Sequence, residues 1–260
     1  MKKGLIIYNA KDKTANEWFV ESCLKSLNND EFSLLYKEEN EVLDYINANP
    51  IDFVIFRCRN YSLLNEIELR GIRCFNNTKT NSLANDKYRT YLFFKDHGFP
   101  CLETSLKRGD ISFPLVMKSL DGHGGSEVYL INSQDELKPS DKKFIYQEYL
   151  ANNGDVRLYV LNKKVIGAVK RSNDKDFRSN YSLGGEVEEY KASREMIDIA
   201  IKISESLDAD YIGVDFIIYD QGFVVNEIED PVGARMLLKA NGVDAVSLFI
   251  KHIKIELLKS

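Results

Sequence analysis

The chain has 260 residues, with 35 lysines and arginines against 40 aspartates and glutamates, so its formal net charge is -5. This balance gives no overall positive field, which excludes a general attraction to nucleic acid or to an anionic membrane surface. The sequence contains no run near the ~18 apolar residues of a membrane span and no signal-peptide pattern before its first strand. We therefore expect a cytoplasmic protein of two or three lobes.

Residues 1–77 alternate between short apolar segments and amphipathic segments. The pattern predicts four strands, at 5–8, 32–36, 53–56 and 72–75. The helices between them carry apolar residues three and four apart, and the first is expected to start at a capping box of Thr14 and Glu17. Repeated strand–helix units with apolar strands predict a small parallel sheet covered by helices, which forms an N-terminal α/β lobe.

Two further lobes are expected, over residues 78–149 and 150–260. The second begins with a polar break at 76–78 and a helix over 85–96, and continues with shorter strands and a glycine-rich turn. The third is predicted to contain, in order, strands at 156–161 and 165–169, a helix at 196–207, an acidic hairpin at 213–231 and a helix at 245–258. Both lobes therefore mix helices and strands.

The acidic hairpin predicts a metal site. Glu227 and Glu229 are two residues apart on one strand, so they share a face about 7 Å apart, and the hairpin pairing brings Asp215 opposite them. Three carboxylates this close repel one another unless a cation lies among them, and oxygen ligands suit magnesium, which is commonly shared with substrate phosphates. The open alternative is a solvated hairpin whose acids only face water.

A lysine and a glycine-rich loop indicate phosphate binding. Lys118 ends a predicted strand and is followed by Gly122, Gly124, Gly125 and Ser126. Backbone without side chains can fold over phosphate oxygens and offer N–H donors, while the lysine adds a positive charge. The order of these residues matches neither a Walker A loop nor a dinucleotide fingerprint, and a flexible hairpin loop is the open alternative.

Three other segments carry candidate binding groups. The strand ending in Gln147, Glu148, Tyr149 and Leu150 has backbone groups suited to an adenine edge, and the Asp155 carboxylate suits ribose hydroxyls. The basic segment at 170–180, which includes Arg178, is suited to clamping a phosphate or a carboxylate. Arg57 and Arg59 end a first-lobe strand, where parallel sheets bind ligands, so we expect them to hold a carboxylate substrate, with structural ion pairing as the alternative.

In this order the motifs resemble those of ATP-grasp ligases, and within them the RimK-type enzymes that join an amino acid to a peptide or amino-acid carboxylate. The resemblance runs from about Arg57 to Leu237. The motifs that carry it are Asn85-Asp-Lys87, Pro114-Leu-Val-Met-Lys118 with its glycine loop, Gln147-Glu-Tyr-Leu150, Asp155-Val-Arg157, Asp176-Phe-Arg-Ser-Asn180 with Gly184-Gly185, and the three carboxylates. It implies an α/β ATP-grasp fold, in which a small parallel-sheet N-terminal lobe precedes two α+β lobes that sandwich ATP.

The resemblance also implies a reaction. A substrate carboxylate attacks the γ-phosphate of ATP, and an amine captures the resulting acyl phosphate to form an amide or peptide bond, with release of ADP and phosphate. ATP is implied to contact Lys87, Lys118, Gly122, Gly124, Gly125, Ser126, Gln147, Glu148, Tyr149, Leu150, Asp155 and Arg178. Two Mg2+ ions, with Mn2+ as the alternative, are implied at Asp215, Glu227 and Glu229. The resemblance implies catalytic roles for Lys118 and Arg178, and substrate binding by Arg57, Arg59, Asn180 and Arg235.

The sequence departs from the family pattern in two places. Glu229 stands where the family usually has Asn, and Asp230-Pro-Val-Gly-Ala-Arg235 replaces a small-residue, Pro-Gly continuation. Arg235 is expected to bind a carboxylate, with a solvent-facing helix-start arginine as the alternative. The expected partners are a small-molecule or peptide carboxylate and an amine, with a homodimer as a common assembly of such relatives. A catalytically inactive ATP-binding regulatory homologue and a ligase for a nucleotide-precursor or sugar acid are the rival functions.

Overall fold

The computed structural model describes residues 1–122, 127–137, 141–172 and 186–259, and its strands form three sheets from successive parts of the chain. The first sheet is parallel, with the strand order β2-β1-β3-β4. Its elements are β1 (Lys2–Tyr8), α1 (Ala10–Ala15), α2 (Glu17–Ser26), β2 (Phe32–Glu38), α3 (Val42–Ala48), β3 (Phe53–Phe56), α4 (Tyr61–Glu68) and β4 (Arg73–Phe75). The predicted parallel N-terminal sheet is confirmed.

The start of the first helix differs from the prediction. Thr14 lies inside α1 and donates to the carbonyl of Ala10 at 3.1 Å, so it caps nothing. Asn9 caps α1 instead, because its side chain accepts a hydrogen bond from the backbone N–H of Asp12 at 2.8 Å. Glu17 opens the separate helix α2 and pairs with Lys13 at 2.6 Å. The expected capping box was therefore wrong, since a competing asparagine cap starts the helix five residues earlier.

The second sheet is antiparallel, in the order β5-β8-β6-β7. Its strands are β5 (Thr104–Ser105), β6 (Leu115–Ser119), β7 (Val128–Ile131) and β8 (Phe144–Glu148), and α5 (Thr78–Ala84) and α6 (Lys87–Asp96) precede it. Helix α5 was not predicted, because its polar first residues resemble a break between elements. Leu83 of α5 and Phe94 of α6 pack into the core of the third sheet. These two helices therefore support the third sheet, although the predicted boundaries assign them to the second lobe.

The third sheet is also antiparallel, in the order β11-β10-β9-β12-β13. Its elements are β9 (Asp155–Leu161), β10 (Lys164–Ser172), β11 (Glu186–Glu189), α7 (Arg194–Leu207), β12 (Tyr211–Tyr219) and β13 (Gly222–Glu229), followed by α8 (Arg235–Asn241) and α9 (Ala245–Lys259). The apolar stripe of α7 covers one face of this sheet. On the other face, α9 packs between the third sheet and the first, beside α2. Among the described residues, none of the helices has the length and apolar character needed to cross a membrane.

The hairpin of β12 and β13 contains a β-bulge beside its carboxylates. Asp215 pairs with Glu227 and Phe216 pairs with Val225, so Asn226 is an extra residue on β13 with no partner on β12. On the other side of the bulge, Gly213 pairs with Glu229. The register therefore places Asp215 opposite Glu227, next to Glu229, as the hairpin prediction required.

Candidate active site

A cleft of about 320 Å³ lies between the sheets and collects most of the residues predicted for the site. The predicted residues that line it are Arg59, Lys87, Lys118, Gly122, Gln147, Glu148, Tyr149, Leu150, Asp155, Asp215, Glu227, Glu229 and Arg235. Gly124, Gly125, Ser126, Arg178 and Asn180 lie outside the described residues. Arg57 is the one predicted site residue within the described ranges that does not line the cleft.

The three carboxylates form a cluster at the inner end of the cleft. Asp215, Glu227 and Glu229 each offer one oxygen atom, and these atoms lie within 4.8 Å of one another. The cluster's shape follows from the bulged pairing of β12 and β13, which sets the two glutamates beside the buried aspartate. Three anionic oxygens at this spacing fit a hard divalent cation such as Mg2+.

Two arginines hold the buried member of the cluster. Arg157 on β9 binds Asp215 with two hydrogen bonds, Nε to Oδ1 and a terminal nitrogen to Oδ2, both at 2.7 Å. Arg171 on β10 donates to Oδ2 at 2.7 Å. Burial alone would raise the pKa of Asp215, but the charges and hydrogen bonds of the two arginines hold that pKa well below its ordinary value. Asp215 is therefore ionised and fixed in place before any cation binds.

Arg157 also reaches the position at which the sequence departs from the family. The same terminal nitrogen that binds Asp215 donates to Oε2 of Glu229 at 2.8 Å. Because a guanidinium presents several donors in a rigid fork, it can bridge two carboxylates at once. The additional negative charge of Glu229 is thus paired with Arg157 inside the cluster.

Two lysines approach the cluster from the second sheet and α6. Lys87, the first residue of α6, donates to the carbonyl of Gly122 at 2.6 Å and lies 3.5 Å from Oε1 of Glu227. The Nζ of Lys118 on β6 lies 3.9 Å from the same oxygen. Burial lowers the pKa of Lys118. Burial alone would raise the pKa of Glu227, but the positive charges of Lys87 and Lys118 outweigh it and hold that pKa below its ordinary value. The site therefore combines an anionic cluster with two closely spaced cations.

The predicted adenine segment lies at the end of β8, where the chain crosses from the second sheet to the third. Gln147 is buried and donates to Oγ1 of Thr104 at 3.0 Å, while Glu148 continues the strand pairing by donating from its N–H to the carbonyl of Glu103 at 2.9 Å. Asp155, the predicted ribose ligand, accepts a hydrogen bond from Arg171. Burial raises the pKa of Asp155, with the neighbouring Asp215 adding to the rise and Arg171 opposing it.

The predicted substrate arginines lie in different places. Arg59 lines the cleft and pairs with Asp12 at 2.8 Å. Arg235 begins α8, as the sequence alternative proposed, and it both lines the cleft and donates to the carbonyl of Ala15. Each of these two arginines also contacts α1, Arg59 through Asp12 and Arg235 through Ala15.

Arg57 is buried beneath the cleft. Its Nε donates to the hydroxyl of Tyr8 at 3.1 Å, a terminal nitrogen donates to the carbonyl of Val232 at 2.6 Å, and its guanidinium lies 4.4 Å from the centre of the Phe19 ring. These contacts join the first sheet to the loop after β13. Arg57 therefore has structural partners, but its hydrogen bonds go to a hydroxyl and a carbonyl, and not to the carboxylate that the ion-pairing alternative required.

Three asparagines for which no contact was predicted fix the loop after Glu229. The buried carboxylate of Asp230 accepts hydrogen bonds from the side-chain amides of Asn76 and Asn81, each at 2.8 Å. The backbone carbonyl of Asp230 accepts from the side chain of Asn85 at 2.9 Å. Because Asn76 follows β4, Asn81 lies in α5 and Asn85 ends that helix, the end of β13 is anchored to the first part of the chain.

Comparison with known proteins gives a consistent result. A model of the RimK-like ATP-grasp domain matches residues 99–253. An uncharacterized protein of Mycoplasma genitalium is 32% identical over 254 residues, which cover 92% of this chain and 87% of that protein. A probable alpha-L-glutamate ligase of Haemophilus influenzae is 27% identical over 255 residues, which cover 88% of this chain and 84% of that protein.

A solved structure shows the same fold. D-alanine–D-alanine ligase from Bacillus anthracis superposes with a TM-score of 0.77 at 18% identity, and the match covers 100% of this chain and 98% of that one. The domain match spans the second and third sheets and the whole of the carboxylate cluster. This chain belongs to the RimK-like family of ATP-grasp ligases.

Proposed function

We propose that this protein is an ATP-dependent carboxylate–amine ligase that forms an amide or peptide bond through an acyl phosphate and releases ADP and phosphate. The observation that carries the proposal is the single cleft in which two lysines, three clustered carboxylates and the β8 segment face one another. Phosphoryl transfer depends mainly on positioning and on stabilising charge, and these are the groups that supply both.

Different residues along the cleft are proposed to bind different parts of ATP and its metal ion. Lys87 and Lys118 are proposed to hold the α- and β-phosphates, because both ammonium groups lie at the junction of the β8 segment and the carboxylates. The segment from Gln147 to Leu150 is proposed to receive the adenine. Asp215, Glu227 and Glu229 would hold Mg2+, which neutralises phosphate charge when it is bound. Arg178 remains the proposed partner of the transferring phosphoryl group.

The substrates are proposed to bind at the part of the cleft that is lined by Arg59 and Arg235. Arg59 and Arg235 present guanidinium groups there, which suit a carboxylate. Because a relative is named a probable alpha-L-glutamate ligase, we propose an amino acid as the amine, with glutamate the first to test. The acceptor is then a small-molecule or peptide carboxylate.

The test is a nucleotide-release assay with pools of amino acids and carboxylates. We expect ADP and phosphate only when an amine and a carboxylate are both present. If no pair of substrates leads to ADP release, the result would support the inactive ATP-binding homologue. If ADP is released only when the acid is a nucleotide precursor or a sugar acid, the result would support the rival ligase for such acids. Formation of AMP and pyrophosphate would contradict the acyl-phosphate route.

A matched pair of variants in α6 tests whether the measured activity depends on the cleft. Lys87→Met removes an ammonium group that faces Glu227, and we expect activity to fall by about 100-fold or more, in line with the loss of a positioned charge. Lys95→Met lies on the same helix but pairs with exposed Glu103 outside the cleft, so activity should be unchanged. Equal activity of the two variants would exclude Lys87 from phosphate binding.

A further inference from the structure

The β-bulge in β13 turns an uncharged polar side chain into the cleft. Asn226 is the bulged residue, and bulges commonly re-aim a side chain that regular pairing would direct elsewhere. Asn226 lines the cleft beside Lys118, Gln147 and Glu227. Asn226 therefore lies among residues proposed to bind the nucleotide.

One hydrogen bond fixes the orientation of the Asn226 amide. The Nζ of Lys118 donates to Oδ1 of Asn226 at 3.0 Å. Because an ammonium group has donors and no acceptor, the amide oxygen must face Lys118 and the Nδ2 group must point away from it. Within the described ranges, no protein acceptor is hydrogen-bonded to this Nδ2. The two N–H groups of Asn226 Nδ2 are thus available as hydrogen-bond donors beside Lys118 in the cleft.

The choice of a neutral acceptor matters for the charge of the site. A carboxylate at position 226 would form an ion pair with Lys118, and it would offset the charge proposed to attract phosphate. The amide holds the ammonium group in place without neutralising it, and the nearest carboxylate, Glu227, lies 3.9 Å away. Asn226 therefore supports anion binding by Lys118 and adds donors of its own.

We propose that Asn226 binds the nucleotide directly, with its Nδ2 donating to an acceptor next to the group held by Lys118. The acceptor is either an α-phosphate oxygen or a ring nitrogen of the base. This inference rests on the proposed function, because it requires ATP in the cleft.

The experiment is a double-mutant cycle on nucleotide affinity. Binding of a non-hydrolysable ATP analogue with Mg2+ is measured by calorimetry for the wild type, Asn226→Leu, Lys118→Met and the double variant. We expect Asn226→Leu to weaken binding by about 10-fold in both backgrounds, since the loss of one hydrogen bond commonly costs about that factor. Loss of the effect in the Lys118→Met background would show that Asn226 acts only through Lys118, and would overturn the proposal.

The controls separate this inference from the proposed function. Failure of the wild type to bind the analogue would overturn the proposed function, whereas normal binding by Asn226→Leu would overturn only the role of Asn226. Asn153→Leu changes an exposed asparagine outside the cleft, so its affinity should equal that of the wild type. If Asn226→Leu fails to fold, Asn226→Ala makes the smaller change and must still weaken binding.

A modified nucleotide identifies the acceptor. The compound 7-deaza-ATP lacks a ring nitrogen that can accept a hydrogen bond from Nδ2. If Asn226→Leu weakens ATP but leaves 7-deaza-ATP unaffected, the acceptor is that ring nitrogen. If both nucleotides lose affinity equally, the acceptor is a phosphate oxygen. Unchanged affinity of Asn226→Leu for both nucleotides would contradict a direct contact.

Discussion

Asp215 has two separate roles, a proposed one in metal binding and one in the ion pairs that hold the third sheet together. It offers an oxygen to the carboxylate cluster, and it is also the shared partner of two buried arginines. Glu229 shares the proposed metal role, but its side chain is 27% exposed and, within the described part of the chain, its ion-pair partner is Arg157 only. Substitutions at the two positions should therefore differ in stability even though both remove a proposed metal ligand.

We predict that Asp215→Asn destabilises the metal-free protein by about 3 kcal/mol, because it removes the buried counter-ion that Arg157 and Arg171 share and leaves them paired with Glu229 and Asp155, respectively. Glu229→Gln should cost less than about 1 kcal/mol, since its pair is partly exposed. Urea unfolding in the presence of a chelator measures both values. Equal losses for the two variants would contradict the structural role of Asp215.

The sequence allowed some site residues to be predicted and not others. Carboxylates at 215, 227 and 229 are close in the chain, so strand periodicity and a hairpin sufficed to bring them together. Arg171 is 44 residues from Asp215, and its pairing with Asp215 depends on the alignment of three strands. The orientation of Asn226 depends on a bulge, which no pattern of alternation indicated.

At the scale of elements, β1 and β3 meet at a glycine. Gly4 pairs with Phe53 in the parallel register, and a Cβ at position 4 would overlap the Phe53 ring. Phe53 is fully buried and packs edge to face with Phe32 across the sheet. The absence of a side chain at position 4 therefore makes room for a large ring in the core.

We predict that Gly4→Ala destabilises the protein by about 1–3 kcal/mol through overpacking against Phe53. Adding Phe53→Leu to this variant should recover part of the loss, because the smaller side chain leaves space for the new methyl group. Denaturant titrations of the two single variants and the double variant give the coupling energy. Strict additivity of the two changes would contradict the predicted contact.

Helix α5 shows where local patterns failed. Its first residues are polar, so the sequence indicated a break, yet Asn77 caps the helix and Thr80 and Asn81 are buried. Asn81 donates to Asp230, which lies 149 residues further along the chain. Buried polar residues that hydrogen-bond to such distant partners look like a loop in the sequence. Helix α7, in contrast, was predicted because its buried residues are apolar and regularly spaced.

At the scale of the whole molecule, α9 joins the first sheet to the third. Phe249 lies near the rings of Phe19, Phe75 and Tyr211, with ring centres 6.3, 6.4 and 5.4 Å away. These three rings come from α2, β4 and β12, so one side chain contacts separate parts of the fold. The helix itself was predicted from its periodicity, but its position between sheets was not, because that position depends on contacts distant in sequence.

We predict that Phe249→Ala costs about 3–5 kcal/mol and destabilises the first and third sheets together. Leu248→Ala, on the same helix but 39% exposed, should change stability by less than about 1 kcal/mol. Unfolding followed by far-ultraviolet circular dichroism and by fluorescence of Trp18 should give coincident transitions for each variant. Early loss of only one sheet in Phe249→Ala would contradict a shared core.

The position of α9 also has a consequence for protein synthesis. A growing chain usually folds its N-terminal region first, as that region leaves the ribosome. Here α2 covers only part of one face of the first sheet until the segment from Val246 to Leu257 has been translated, because residues of both helices form the core on that face. We therefore expect the nascent N-terminal lobe to remain a substrate for chaperones throughout elongation, and to acquire resistance to proteases only after α9 emerges.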